Sequence, residues 1–339
     1  MNKMLSKIWL ALIALAFFVS CSQQNAQQTL TLQGRTMGTT YHLTLIAQSE
    51  LLEQSKIQSE VDAILEDVND KMSTYRPNSE LSLLNQNLST DPVGLSADTA
   101  KVIGQAIELG ELTQGALDIT VGPLVNLWGF GPDGRPNKVP SFEKIEQVKT
   151  HVGLDKIQLD GSLIRKADPK VYIDLSSIAK GFGVDQVADY LESIGINNYL
   201  VEIGGEMRLN GQKADGSQWR IAIEKPVSFD RAVQQVIEPG DAALATSGDY
   251  RNYFEQDGVR FSHTIDPTTF KPINHKLVSV SVIAPSCMEA DGLATALNVM
   301  GPEKAFDFAK KHDLAVYLVV KSDSGFDVLF TEQFKPYMK

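Results

Sequence analysis

Hydrophobic and polar residues alternate through TLTLQGRTMGTTYHLTLI at 29–46. Side chains point to opposite faces along a strand, so this pattern predicts two strands around a Gly-containing turn. Further along, the period lengthens. Ile57, Val61, Ile64, Leu65 and Val68 recur at helical spacing, as do Val102, Ile103, Ala106, Ile107 and Gly110, which predicts two amphipathic helices. A third helix, from Ile178 to about Ile194, is followed by Gly195, a residue suited to a helix C′ position. Apolar runs predict strands at 199–203, 219–223, 277–283, 315–320 and 326–330, with helices at about 289–300 and 303–312. This order lacks the regular strand–helix alternation of a doubly wound fold. It predicts an α+β fold, a single large domain over 29–339 with mostly antiparallel sheet flanked by helices. The loop at 129–141, GFGPDGRPNKVPS, reads as an excursion within that domain.

The N-terminus follows a different pattern. Residues 1–20 carry Lys3 and Lys7 ahead of an apolar run from Ile8 to Val19, the layout of a secretory signal. The run is about twelve residues, too short to span a membrane comfortably. Cys21 follows immediately, as in bacterial lipoproteins that are cut before the Cys and acylated on its thiol. Phe18 stands where Leu is usual. An ordinary signal peptide with a nearby cut is the alternative. Residues 21–28 then read as a lipidated Cys and a polar tether, SQQNAQQ. The expected location is the periplasmic face of a bacterial membrane, the inner membrane in preference to the outer. Acylation of Cys21 leaves Cys287 as the second of two cysteines, so no disulfide is expected. Cys287 reads as a small core residue.

Composition changes the picture only by exclusion. The chain is 43% hydrophobic and 22% charged, as in ordinary globular domains. Loss of Lys3 and Lys7 with the signal takes the formal charge from −11 to −13. Nucleic acid is therefore not an expected partner.

Two stretches carry candidate chemistry. In MEADGLATAL at 288–297, Asp291 and Thr295 are four apart, so on a helix they share a face. A carboxylate and a hydroxyl placed near a helix N-terminus suit a hard cation such as Mg²⁺. In VYIDLSSIAKGFG at 171–183, a buried-looking strand delivers Asp174 into a Ser-rich turn before a helix. That arrangement offers backbone N–H groups, Lys180 and Gly181 to a phosphate. Together they point to a nucleotide pyrophosphate. The alternative is that Asp174 and Ser176 only cap a helix, and that Asp291 sits in a solvated first turn.

Eight blocks in order extend these two. They are RTMGTTY (35–41), MSTYRPNSELSLLN (72–85), GALDITVGPLVNLWGFG (115–131), VYIDLSSIAKGFGVD (171–185), YLVEIGGEMRLNG (199–211), ATSGDYRNYF (245–254), SHTIDPTTFKP (262–272) and SVSVIAPSCMEADGLATAL (279–297). On these residues the chain resembles the ApbE family of periplasmic flavin transferases, from about residue 33 to 331. The resemblance implies a T-fold-related architecture. It also implies Mg²⁺-dependent transfer of the FMN half of FAD to a Thr or Ser of a partner protein, with release of AMP. It places FAD contacts at Met37, Tyr75, Ala116, Leu117, Asp118, Asp174, Lys180 and Ile265. It places the metal on Asp291 and Thr295, helped by backbone oxygens near Ser177 and Ala294. The implied acceptors are redox-complex subunits of the sodium-pumping quinone reductase or Rnf type. One departure is Phe270, where the family pattern favours Gly after DPTT.

Residue chemistry agrees with these roles and leaves alternatives. Tyr75 and Met37 offer surfaces to an aromatic ring system, or simply pack in the core. Gly204 and Gly205 allow close backbone approach, or make a tight turn. In SGDY at 247–250, Ser247 and Gly248 meet phosphates or form a turn. Hydroxyl attack needs a proton acceptor, for which His263 is the candidate base beside Asp291; a structural histidine is the alternative. Two rival functions stay open: a non-catalytic FAD-binding lipoprotein, and a metal-dependent FAD pyrophosphatase that uses water.

Overall fold

The computed structural model describes residues 27–132, 139–226, 233–248 and 253–339. The signal, Cys21 and most of the tether lie outside the described residues, as do part of the 129–141 loop and Asp249–Tyr250 of SGDY. Among the described residues, no helix is long and apolar enough to cross a membrane.

In chain order the strands are β1 (Gln28–Thr36), β2 (Thr39–Ala47), β3 (Val93–Gly94), β4 (Ile157–Asp160), β5 (Leu163–Lys166), β6 (Asn198–Ile203), β7 (Glu206–Asn210), β8 (Ile221–Glu224) and β9 (Val233–Ile237). They continue with β10 (Ala242–Gly248), β11 (Tyr253–Gln256), β12 (Val259–Ser262), β13 (Ile265–Asp266), β14 (Lys271–Pro272), β15 (Leu277–Ala284), β16 (Ala315–Ser322) and β17 (Gly325–Phe330). The α-helices are α1 (Gln54–Met72), α2 (Glu80–Gln86), α3 (Ala97–Leu112), α4 (Gly122–Leu127), α5 (Phe142–Lys149), α6 (Ala179–Ser193), α7 (Cys287–Met300) and α8 (Pro302–Lys311).

Eight strands form one sheet in the order β1-β2-β6-β7-β10-β15-β16-β17, and every neighbouring pair is antiparallel. Period-2 patterning gives the sheet two apolar faces. One face packs under helices, with Val280 and Val282 of β15 meeting Leu293, Ala296 and Leu297 of α7, and Tyr199 and Val201 of β6 meeting Val184 and Leu191 of α6. Leu244, Ile283, Tyr317 and Val319 point the other way, against Ile221 and Ile223 of β8, Ile237 of β9, Trp219 and Phe334. The result is an α+β fold with an antiparallel sheet between helices and a small hairpin.

Several elements follow the sequence pattern closely. The strand pair at 29–46 appears as β1 and β2, joined by Met37 and Gly38, both with positive φ (48° and 72°), as a tight hairpin turn requires. Gly195 follows α6 with φ 83°. Two expectations need correction. The segment Val171–Ile173 is not a strand. It is a buried extended run whose Ile173 backbone is held on both sides by the Asn85 amide, at 2.8 Å each, while the Asp174 N–H donates to Ile119 O at 2.8 Å. Its apolar residues are buried because helices and loops cover it, so apolarity there did not signify sheet pairing. The strand expected at 219–223 is β8 at Ile221–Glu224, and Trp219 instead donates its indole N–H to Asn210 O at 2.9 Å. The alternative of a solvated first turn for Asp291 does not hold either. It is the fifth residue of α7 and only 5% exposed.

Phe270 adopts φ 60°, the left-handed region where glycine is easiest. The turn closes regardless: the Phe270 N–H donates to Asp266 O at 2.8 Å, and Phe270 O accepts from the Trp128 indole at 3.1 Å. Packing in the cluster of Trp128 and Phe261 offsets the strain.

The helices α6 and α7 cross by their N-termini. Asp185 of α6 accepts the N–H groups of Cys287 and Met288 at 2.9 Å each, and Asp291 of α7 accepts the Gly181 N–H at 3.0 Å. A Cβ on Gly181 would lie 2.3 Å from Cys287 O and 2.8 Å from Met288 Cα. Gly181→Ala must therefore push the two helices apart. Overpacking of this kind costs about 1–3 kcal/mol. We expect a lower urea midpoint with an unchanged slope; a variant as stable as the parent would show that the crossing yields easily.

Candidate functional site

One cleft of about 380 Å³ gathers residues from distant parts of the chain. Ala116, Leu117 and Asp118 reach it from the loop between α3 and α4, and Asp174 and Ser177 from the extended segment before α6. Lys180 stands in the first turn of α6, Glu206 at the start of β7, and Thr246–Gly248 at the end of β10. His263 follows β12, Ile265 begins β13, and Asp291 and Thr295 lie one turn apart on α7.

Three ionisable groups lie at its base. Lys180 Nζ is 2.7 Å from Glu206 Oε1 and 3.8 Å from Asp291 Oδ1. Burial disfavours the Lys180 charge, yet the Asp291 and Glu206 carboxylates hold its ammonium above the ordinary lysine range. Burial pushes Glu206 up to about 7, against the attraction of Lys180. Burial also raises Asp291, opposed by Lys180 and the Gly181 N–H. Glu206 Oε2 is buried and has no hydrogen-bond partner among the described residues, a group left for something that enters the cleft.

Asp118 and Asp174 stand higher on the walls. Asp118 Oδ1 accepts from the Thr120 N–H at 2.7 Å and its hydroxyl at 2.6 Å, and Asp174 Oδ1 accepts from the Ser176 N–H at 2.9 Å. Both carboxyls are raised by burial. They do make the local turn bonds that the capping alternative describes, and they also line the cleft. Tyr75 does not line the cleft; its hydroxyl donates to Phe130 O at 3.1 Å, and burial and the Asp174 charge raise its phenol. The His263 ring meets Phe130 edge-on at 6.4 Å between centroids.

Two further residues implied as site members also lie outside the lining. Met37 lies in the β1–β2 turn, where it lines a separate hollow with Arg35 and Arg76, and its Cε approaches Gly183 on α6. Ala294 packs its methyl in the core, so its carbonyl is what it can offer. Cys287 is buried, and burial pushes its thiol well above the ordinary value, as a core residue. Sequence reasoning missed Glu206, Thr246 and Asp185. Glu206 directly follows Gly204–Gly205 at a strand start, where an acidic residue beside a turn of two glycines was the available signal.

The residues present suit a hard cation. Asp291 Oδ1 lies beyond hydrogen-bond range of Lys180, and Thr295 lines the same cleft one turn on. No group of three His, Cys, Asp or Glu residues among the described residues forms a metal cluster. A cation here would therefore also need hydroxyl, carbonyl and phosphate oxygens.

The ApbE family model matches residues 37–318. The chain is 52% identical over 330 residues to the FAD:protein FMN transferase of Vibrio cholerae, covering 97% of this chain and 98% of that one. It is 49% identical over 342 residues to the FAD:protein FMN transferase of Haemophilus influenzae, covering 99% and 98%. Among solved structures, the flavin transferase ApbE from Vibrio cholerae superposes with a TM-score of 0.87 at 53% identity, over 92% of this chain and 99% of that one. The ApbE protein from Thermotoga maritima superposes at 0.82 with 30% identity, over 92% and 100%.

The Glu206 shift fixes a pH dependence. Folded Glu206 binds its proton up to about pH 7, and an ordinary glutamate only up to 4.5. Between those values the folded state holds more protons than the unfolded, so its stability falls as pH rises. Glu206→Gln should flatten that fall in ligand-free protein, as read by urea unfolding across the window. An unchanged slope with pH would reject the assignment.

Proposed function

The chain belongs to the ApbE family, and on that premise we propose that it transfers the FMN half of FAD to a Thr or Ser hydroxyl of an acceptor protein, with Mg²⁺, releasing AMP. The observation that carries this reading is the single cleft joining Asp118, Asp174, Lys180, His263, Asp291 and Thr295. Asp118 and Asp174 orient the nucleotide through its polar edges. Lys180 faces the pyrophosphate. The acceptor hydroxyl oxygen attacks the phosphorus on the riboflavin side. Its proton passes to the His263 ring. The bond from that phosphorus to the bridging oxygen breaks, and AMP leaves with the electron pair. Asp291 and Thr295 would hold Mg²⁺, with carbonyl oxygens of Ser177 and Ala294, and the ion when bound neutralises charge on the pyrophosphate.

We place the enzyme at the periplasmic face of a membrane, anchored through acylated Cys21. The acceptors we propose are redox subunits of the sodium-pumping quinone reductase or Rnf type. Incubation with FAD and Mg²⁺, with and without such a subunit, tests the reading. FMN on the subunit supports it, free FMN marks a pyrophosphatase, and unchanged FAD marks a carrier.

Two substitutions sharpen it. His263→Ala should lower the transfer rate by ~10²–10⁴-fold at saturating FAD while FAD still binds, the usual range for removing a general base. Loss of FAD affinity and melting temperature together, with little rate change, would instead show a structural histidine. Asp291→Ala should abolish the response of transfer to added Mg²⁺, because a hard carboxylate ligand is lost. A folded variant with normal Mg²⁺-dependent turnover would remove Asp291 from the metal.

A further inference from the structure

Strand β10 lies inside the eight-stranded sheet but is only partly covered on one edge. It pairs with β15 from Ala243 to Gly248, and with β7 only from Ala242 to Leu244. The same register sets Ala245 opposite Glu206, the first residue of β7, so among the described residues Thr246–Gly248 has no strand on that side. Alternate residues of a strand direct their N–H and C=O groups to opposite edges, so part of this run presents unpaired backbone groups. The β6–β7 hairpin ends beside it in the two-residue turn Gly204–Gly205, with φ 62° and 108°. A Cβ on Gly205 would meet nothing within 4 Å. Ala245 is fully buried, whereas Thr246, Ser247 and Gly248 are partly exposed, and they are small, as are Gly204 and Gly205 beside them.

This opening connects two cavities. Gly204, Thr246 and Gly248 line both the FAD cleft and a second cavity of about 530 Å³. The second cavity lies on the sheet face away from α6 and α7, walled by Thr40, Leu244 and the strand β8. An acceptor hydroxyl on a protein must reach a phosphorus held over the buried groups Lys180, Glu206 and Asp291, and a folded surface is too broad to enter.

We propose, on the basis of the FMN-transfer reading, that the acceptor enters from the second cavity as an extended segment and adds a short strand to the open edge of β10 at Thr246–Gly248. The three open residues span about 10 Å, room for about three residues of partner chain. Side chains of an added strand alternate faces. The Ser or Thr therefore faces the FAD cleft while its two neighbours face the second cavity. Main-chain pairing supplies the grip, as in other strand-addition complexes.

Ala222 of β8 tests this, because it is exposed, lines the second cavity and is not part of the FAD cleft. Ala222→Trp should lower FMN transfer to the quinone-reductase subunit about tenfold or more through a raised KM for the subunit, with FAD affinity and melting temperature unchanged. Transfer equal to the parent's, or FAD affinity lost in step with transfer, would overturn the proposal. Amide exchange on the unmutated protein is the second measure, should the variant fold poorly. Slowed exchange at Thr246–Gly248 on adding the subunit to the FAD-loaded protein supports strand addition; full protection by FAD alone overturns it. If the unmutated protein yields only free FMN, the functional reading fails first and this inference with it.

Discussion

Two buried carboxylates tie the N-termini of α6 and α7 to each other, and the cleft depends on that crossing. Asp185 of α6 receives the first N–H groups of α7, and Asp291 of α7 receives the Gly181 N–H in the first turn of α6. Each carboxylate satisfies donors that no helix can satisfy internally, and each sits at the positive end of the partner's dipole. Neither is left without a cation: Arg208 lies 3.4 Å from Asp185, and Lys180 3.8 Å from Asp291. Because Gly181 lets backbone meet backbone, Lys180, Asp291 and Thr295 hold fixed positions relative to one another across 110 residues of chain.

The sheet supplies the other half of the geometry. Antiparallel order brings the start of β7 and the end of β10 to one place under this crossing. Glu206 and Thr246 thus enter the cleft from strands while Lys180 and Asp291 enter from helices. The core on both faces of the sheet is aliphatic and aromatic. The ionisable cluster is consequently held by a rigid frame, and its charges see little water.

Much of this was legible in the sequence. The period-2 run at 29–46 and the 3.6-period runs at 57–68 and 102–110 each report burial of one face, which is a local property, and each formed the element expected. Family blocks identified Asp118, Asp174, Lys180, His263, Asp291 and Thr295, and all of them line one cleft. The failures share a cause. The segment at 171–173 is apolar because it is buried, but its backbone bonds go to an Asn85 side chain 88 residues away, which no local pattern encodes. Glu206 was passed over because its meaning comes from Lys180 and Asp291, brought near it only by the fold.

Cys287 sits at the same crossing, fully buried at the first position of α7 in a cluster with Leu65, Val184 and Val187. It is the one free cysteine among the described residues. A thiol reagent can reach it only when this packing opens, so the rate of alkylation measures how often the core beside the α6–α7 crossing opens. The molecule thereby carries an internal clock for its own breathing at the helix that bears Asp291 and Thr295.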